Sequence, residues 1–193
     1  MQQDGLILPG LTGSGELYMD ILRIICNPLS DQSMCDLGCH HAPFTPQLGY
    51  KKKAYVDIQN RPLDYPQEQP YFVHSDIFAY LHKNTNRFDV TIASDVIEHL
   101  TTERGYELLG LMKSCSEKQL IFTPLGAYMV DESNAHPDAH RSGWVPDMLF
   151  GWLSIVLPNF HPKLNIGAFF AVNCGDEEKQ RIYNGIKNKY DTN

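Results

Sequence analysis

Nowhere does this 193-residue chain stay apolar for the length a membrane helix needs, which excludes a helical span on sequence grounds. Positive charge is scarce. Lys and Arg number 16 against 23 Asp and Glu, a net charge of −7 that repels polyanions at long range and argues against generic nucleic-acid binding. The densest basic cluster, Lys51-Lys52-Lys53, directly precedes an apolar run and reads as the solvated approach to a strand. Cysteine is limited to five residues, an odd number without regular spacing, which excludes a secreted disulfide framework and points to a reducing compartment. The opening Met1-Gln2-Gln3-Asp4-Gly5 has no signal-peptide character, so the cytoplasm is the expected location. Repeats and low-complexity tracts are absent, and the length suits a single domain over 1–193.

What is present is an alternation of short apolar strands with helical patterns, the signature of an α/β fold with a mostly parallel sheet covered on both faces. Within a helical N-terminal segment, 1–30, residues 16–25 carry Leu17, Ile21, Leu22 and Ile25 on one stripe, and Asn27-Pro28 ends it. Strands are expected at 34–37, 54–58, 71–73, 90–94 and 120–123, with helices after most of them. Thr102 is the expected cap of the helix carrying Tyr106, Leu109 and Met112. After Thr123-Pro124 comes a polar stretch too long for an ordinary connection, so an active-site loop is expected over 128–145, lying above the crevice. Beyond it, 146–156 reads as a helix, 158–173 as an antiparallel terminal hairpin turning near Gly167-Ala168, and 177–190 as a surface helix.

The segment Ser33-Met34-Cys35-Asp36-Leu37-Gly38-Cys39-His40-His41-Ala42-Pro43 is the most informative. An apolar run ending in an acidic residue and a glycine hands a parallel strand over to a ligand-facing loop. Gly38 lacks a Cβ and lets the backbone turn closely against a ligand. Pro43 suits the first turn of a following helix, whose free N–H groups would favour a carboxylate or phosphate. Nineteen positions after Gly38, Asp57 ends the next strand, where a carboxylate can accept from both hydroxyls of a ribose. A Gly-x-Gly-x-x-Gly dinucleotide fingerprint is missing.

Asp36-Leu37-Gly38-Cys39 resembles the first motif of the class I S-adenosylmethionine-dependent methyltransferases, with His40 and Ala42 at the family's second and third glycines. The likeness continues through Tyr71-Phe72-Val73-His74-Ser75-Asp76-Ile77 and through Ser94-Asp95-Val96-Ile97-Glu98-His99-Leu100, and so covers most of the chain. It implies a Rossmann-like doubly wound sheet with helices on both faces and an antiparallel C-terminal hairpin, with S-adenosyl-L-methionine as cofactor and S-adenosyl-L-homocysteine as product. It also implies residue roles: Asp36, Gly38, Cys39 and His40 on the methionine side, Asp57 and Ile58 at the ribose, Asp76 and Ile77 at the adenine, and Ser94 near the adenosine. Glu98 and His99 then face the reacting centre.

A sulfonium methyl is already activated, so the enzyme mainly aligns donor and acceptor and excludes water. A histidine serves as base when the acceptor is a hydroxyl. His99, His136 and His140 are the candidates, the last two in a stretch ending His140-Arg141-Ser142-Gly143-Trp144 that resembles one following the fifth strand in some such enzymes. Loop ordering is the alternative role for that stretch, and Arg141 could instead bind an acidic acceptor. No metal ligand set is assigned; a site from His136 and His140 with Asp131 or Glu132, and a zinc site at Cys35 and Cys39, are the alternatives weighed. The expected acceptor is an oxygen or nitrogen of a small molecule, sugar or lipid. The rival readings are an NAD-dependent oxidoreductase and a non-catalytic scaffold that kept the fold.

Overall fold

In the computed structural model, residues 5–29, 31–40, 42–59, 71–126 and 139–190 are described. Among these residues, eight strands form one sheet: β1 (Gly5–Ile7), β2 (Ser33–Leu37), β3 (Lys52–Asp57), β4 (Tyr71–His74), β5 (Phe88–Ser94), β6 (Ser116–Pro124), β7 (Leu153–His161) and β8 (Ile166–Asn173). Their order is β1-β7-β8-β6-β5-β2-β3-β4. Only β8 runs against its neighbours, β6 and β7; the other pairings are parallel. The chain lays β2, β3 and β4 outward in one direction, then crosses back to place β5 on the other side of β2. This reversal opens a crevice at the carboxyl ends of β2 and β5, where ligands bind in open α/β sheets.

Alternation along each strand divides the core in two. Met34, Ile92, Leu120 and Phe170 face one side with α1 (Gly15–Cys26) and α4 (Asp176–Tyr190). Their neighbours Cys35, Ala93, Ile121 and Phe169 face the other side with α2 (Ile77–Lys83) and α3 (Thr102–Cys115). Successive side chains of a strand point to opposite faces, so inner strands of a doubly covered sheet are apolar throughout.

The helix α1 starts where Ser14 accepts from the Leu17 N–H at 3.1 Å and stops at Asn27, whose φ of 33° lies in the left-handed region. Its Ile21, Leu22 and Ile25 are fully buried, each stabilising the fold by roughly 1.5–3 kcal/mol. Its last carbonyls are taken by cations from elsewhere: Arg181 on α4 donates to Ile24 and Ile25, and Lys118 on β6 also donates to Ile25. Both cations bind Glu178, so one ionic group fastens α4 to α1 and the sheet.

Several expectations need correction. No α-helix follows Pro43; the chain makes a single 3-10 turn, Thr45–Gln47, with Pro46 inside its start. Thr101, not Thr102, caps α3 by accepting from the Arg104 N–H. The expected helix at 146–156 is a 3-10 turn, Pro146–Met148, followed by β7. Gly151 at φ 81° breaks the chain between them. A strand covered on both faces loses the alternation of buried and exposed residues, as Leu153 to Leu157 does with even Ser154 buried, and periodicity cannot tell it from a buried helix. The hairpin therefore turns at 162–165, with Asn165 at φ 54°, while Gly167 and Ala168 lie inside β8. β1, unforeseen, adds a parallel edge to β7. Of the long polar stretch, 139–145 is described and 127–138 lies outside the described residues. Among the described residues, no helix is long and apolar enough to cross a membrane.

Candidate active site

A cavity of about 760 Å³ opens at the carboxyl ends of β2, β3 and β5, within the range of small-molecule sites. Its floor is the turn after β2. Gly38 sits at φ 67°, and a Cβ there would lie 2.6 Å from Cγ2 of Val96, so only glycine lets this turn pass the turn after β5. His40 at φ 42° and Ala42 at φ 35° also adopt the left-handed region, without the freedom of glycine. Hydrogen bonds hold that conformation. The Asp57 carboxylate accepts from the His40 N–H at 2.7 Å and from the Gln59 N–H at 2.7 Å. Within the turn, Thr45 donates from its hydroxyl to Asp36.

Asp36, Gly38, Cys39, His40, Asp57, Ile58, Ser94 and His99, all expected from sequence, line this one cavity. Asp76 and Ile77 do not line it. Asp76 instead caps α2, accepting from the Phe78 and Ala79 N–H groups at 3.0 Å each. The cap fits its place just before a helix of seven residues whose first donors need a partner. His136 and His41 lie outside the described residues, as do Asp131 and Glu132.

Sequence reasoning missed the opposite wall. Gly13, Ser14 and Gly15, at the start of α1, face the cavity together with Tyr18. The Tyr18 hydroxyl donates to Ser94 Oγ at 2.9 Å, and its ring packs against Phe44, Phe122 and Phe170. Burial pushes this phenol well above its ordinary range, so it stays a neutral donor. Thr12-Gly13-Ser14-Gly15, a run of small and hydroxylic residues directly before an amphipathic stripe, was the available signal. The N–H donors expected from a helix after Pro43 therefore have a counterpart at the start of α1.

The turn after β5 carries the chemistry-bearing side chains. Asp95 has φ 52° and an exposed place at the cavity, where partial desolvation raises its carboxyl and the Ser94 hydroxyl partly offsets this. Glu98 is 2 % exposed; burial, followed by the neighbouring Asp95 charge, pushes it up to about 8. Its Oε2 accepts from the Thr123 hydroxyl at 3.0 Å, whereas Oε1 has no hydrogen-bond partner among the described residues. Glu98 stands behind the cavity wall and not on it. His99 does line the cavity, and its ring meets that of His140 edge-to-face at 4.9 Å between centroids.

The stretch His140-Arg141-Ser142-Gly143-Trp144 is what holds this turn in place. The Arg141 and Ser142 N–H groups donate to the Glu98 carbonyl at 2.7 and 3.1 Å. Ser142 donates to the Ile97 carbonyl and accepts from Trp144 Nε1 at 2.8 Å. Trp144 is fully buried against α3, where a Cβ on Gly105 would lie 2.3 Å from its ring. Loop ordering, one of the two roles weighed for this stretch, is directly visible in these contacts.

No protein-family model and no curated protein sequence matches the chain. Solved structures do. It is similar to a SAM-dependent methyltransferase from Archaeoglobus fulgidus at 19 % identity and TM-score 0.57, covering 83 % of this chain and 95 % of that one. The N-methyltransferase NodS from Bradyrhizobium japonicum WM9, solved with S-adenosyl-L-homocysteine, is 12 % identical with TM-score 0.57, covering 81 % and 84 %. Magnesium protoporphyrin IX methyltransferase ChlM from Synechocystis PCC 6803, solved with bound SAM, is 17 % identical with TM-score 0.50, covering 82 % and 79 %. Strand order, the antiparallel β8 and these similarities together give the chain the class I S-adenosylmethionine-dependent methyltransferase fold.

Proposed function

We propose that the chain binds S-adenosyl-L-methionine in the 760 Å³ cavity and transfers its methyl group to an oxygen or nitrogen of a small-molecule, sugar or lipid acceptor. The observation that carries this reading is the convergence of Gly38, Asp57 and Ser94, from three different strand ends, on one cavity at the reversal of the sheet. Asp36, Cys39 and His40 would hold the methionine end. Asp57, fixed by two backbone donors, would turn its remaining lone pairs to the ribose hydroxyls with little reorganisation. Ile58 and Gln59, which line the cavity, are the better candidates for the adenine, since Asp76 lies outside that lining and caps α2 through Oδ1.

The start of α1 supports the same reading, because its first N–H groups and the positive end of its dipole favour a carboxylate such as that of the methionine moiety. His99 lies on the cavity wall at the end of β5, where it would take a proton from the acceptor as the new bond forms. Glu98 and His140 would position it. The net charge of −7 disfavours a polyanionic acceptor, and five free thiols support a reducing, cytoplasmic setting.

Titration calorimetry with S-adenosyl-L-homocysteine tests the cofactor, and transfer of a labelled methyl group to a panel of hydroxyl and amine acceptors tests the reaction. Saturable binding with one ligand per chain is expected. Binding of NAD without S-adenosyl-L-homocysteine would overturn the reading in favour of a dinucleotide enzyme, and cofactor binding without transfer to any acceptor would favour a scaffold.

A further inference from the structure

We propose that Glu98, His99 and His140 form a site for a single divalent transition-metal ion beside the cavity, with His99 alone on the cavity wall. One ligand atom from each of the three lies within 4.8 Å of the other two. A single ion holds donors at about 2.0–2.2 Å, so the set would have to close around it from this spacing. The sequence assigned no such set. The alternative it raised joined His136 and His140 to Asp131 or Glu132, whereas the fold brings His140 to two residues some forty positions earlier.

Two independent features favour a site over a chance cluster. The first is the state of Glu98. Its side chain is all but inaccessible, one oxygen accepts from Thr123, and Oε1 has no hydrogen-bond partner among the described residues. A buried carboxyl oxygen without a donor is costly, and a cation is the partner such an oxygen lacks. The second is the backbone. His140 reaches the turn after β5 because the next two residues, Arg141 and Ser142, donate their N–H groups to the carbonyl of Glu98 itself. The carboxyl-bearing residue thus anchors the segment that delivers the second imidazole, and the Trp144 hydrogen bond to Ser142 fixes that segment from behind.

Donor type sets the class of ion. Two imidazoles and one carboxylate suit Mn²⁺, Fe²⁺, Co²⁺ or Zn²⁺, while Mg²⁺ and Ca²⁺ favour all-oxygen sets. Three protein ligands also leave coordination positions open. His99 is shared between the cluster and the cavity lining, so those positions would be offered to an oxygen of a molecule bound in the cavity. The inference rests on the placement of three side chains, and with an ion bound His99 serves as a ligand in place of the base role proposed for the ion-free protein.

The experiment uses chelator-treated, full-length protein titrated with Mn²⁺ and followed by the electron paramagnetic resonance signal of the free ion. One ion per chain is expected, with affinity falling at least about tenfold in Glu98→Gln and in His140→Ala. His82→Ala, a change at an exposed histidine on α2, is expected to leave it unchanged. Circular dichroism of the ion-free variants checks that they fold. If either variant does not, Co²⁺ added to the unaltered protein gives the second readout, with visible absorption bands of nitrogen-ligated cobalt expected. Absence of saturable Mn²⁺ binding, affinity unchanged in both folded variants, or cobalt bands matching those of the hydrated ion would overturn the site. S-adenosyl-L-homocysteine binding measured on the same chelated sample separates failure of the metal site from failure of the cofactor reading.

Discussion

The turns after β2 and β5 leave adjacent parallel strands, meet where Gly38 passes Val96, and use left-handed backbone without glycine, at His40 and Ala42 in one and at Asp95 in the other. They differ in how their buried carboxyls are satisfied. In the first, Asp57 accepts two backbone N–H groups at 2.7 Å and Asp36 accepts the Thr45 hydroxyl, so the carboxylates define the loop. In the second, Glu98 is held above the ordinary carboxylate range by burial and then by the Asp95 charge, and one of its oxygens has no hydrogen-bond partner among the described residues. The satisfied turn is a rigid cradle; the under-satisfied one keeps capacity for a ligand, a proton or an ion. Strain at a site persists only where its surroundings over-determine it, and the Ser142 and Trp144 contacts do this for the second turn.

The sharpest way to break this contrast is Gly38→Ala. A methyl 2.6 Å from Val96 at a φ of 67° combines overpacking with a disfavoured backbone, an expected loss of about 2–4 kcal/mol in chemical unfolding and of cofactor binding in calorimetry. Adding Val96→Ala should recover the steric part alone; an unchanged midpoint in the single variant would mean that the turn is not tight.

Asp57→Asn comes next. It retains size but replaces one acceptor oxygen with a donor and removes the charge, so S-adenosyl-L-homocysteine affinity should fall by about 1–3 kcal/mol. Lost stability with unchanged affinity would make Asp57 a loop lock only. For the second turn, Trp144→Phe deletes the donor to Ser142 while keeping most of the ring, an expected cost of about 1 kcal/mol in urea unfolding. No change would show that the backbone bonds to Glu98 hold the segment unaided.

The smallest effect concerns a third carboxyl, far from the cavity. Glu178 is partly desolvated, yet Arg181 and Lys118 hold it down to about 2, the reverse of Glu98. A carboxyl whose folded value lies below its ordinary 4.5 stabilises above that pH and loses the contribution as pH falls toward 2. Acid unfolding should therefore begin at higher pH in Glu178→Gln, with the gap between variant and parent closing below about pH 2. Parallel acid transitions with a constant gap would detach the ionic group from the docking of α4.

Much of this arrangement was legible in the residues. Asp36-Leu37-Gly38-Cys39 marks the loop because few residue types other than glycine pass that close to a neighbouring strand, and Asp57 follows at the distance that brings the next parallel strand alongside. The stripe of α1 was readable because one face repeats with the helical period. β7 was misread as helix because strands covered on both faces lose their alternation. Asp76 caps α2 outside the cavity lining, which the residues alone could not tell, because an acidic residue after a strand serves equally as helix cap or ligand. The wall formed by Gly13 to Gly15 stayed hidden, since nothing local says which strand ends a preceding helix will overhang.

Local residue order is enough to set the alternation of elements, the glycine turn and the acidic residue of the neighbouring strand, because each depends on spacing and steric limits within a few residues. Tertiary structure alone decided that α1 opens onto the cavity, that Asp57 locks His40, and that Glu98, His99 and His140 converge. Those are contacts between segments far apart in the chain, set by sheet order and by which buried polar groups find partners once the core has closed.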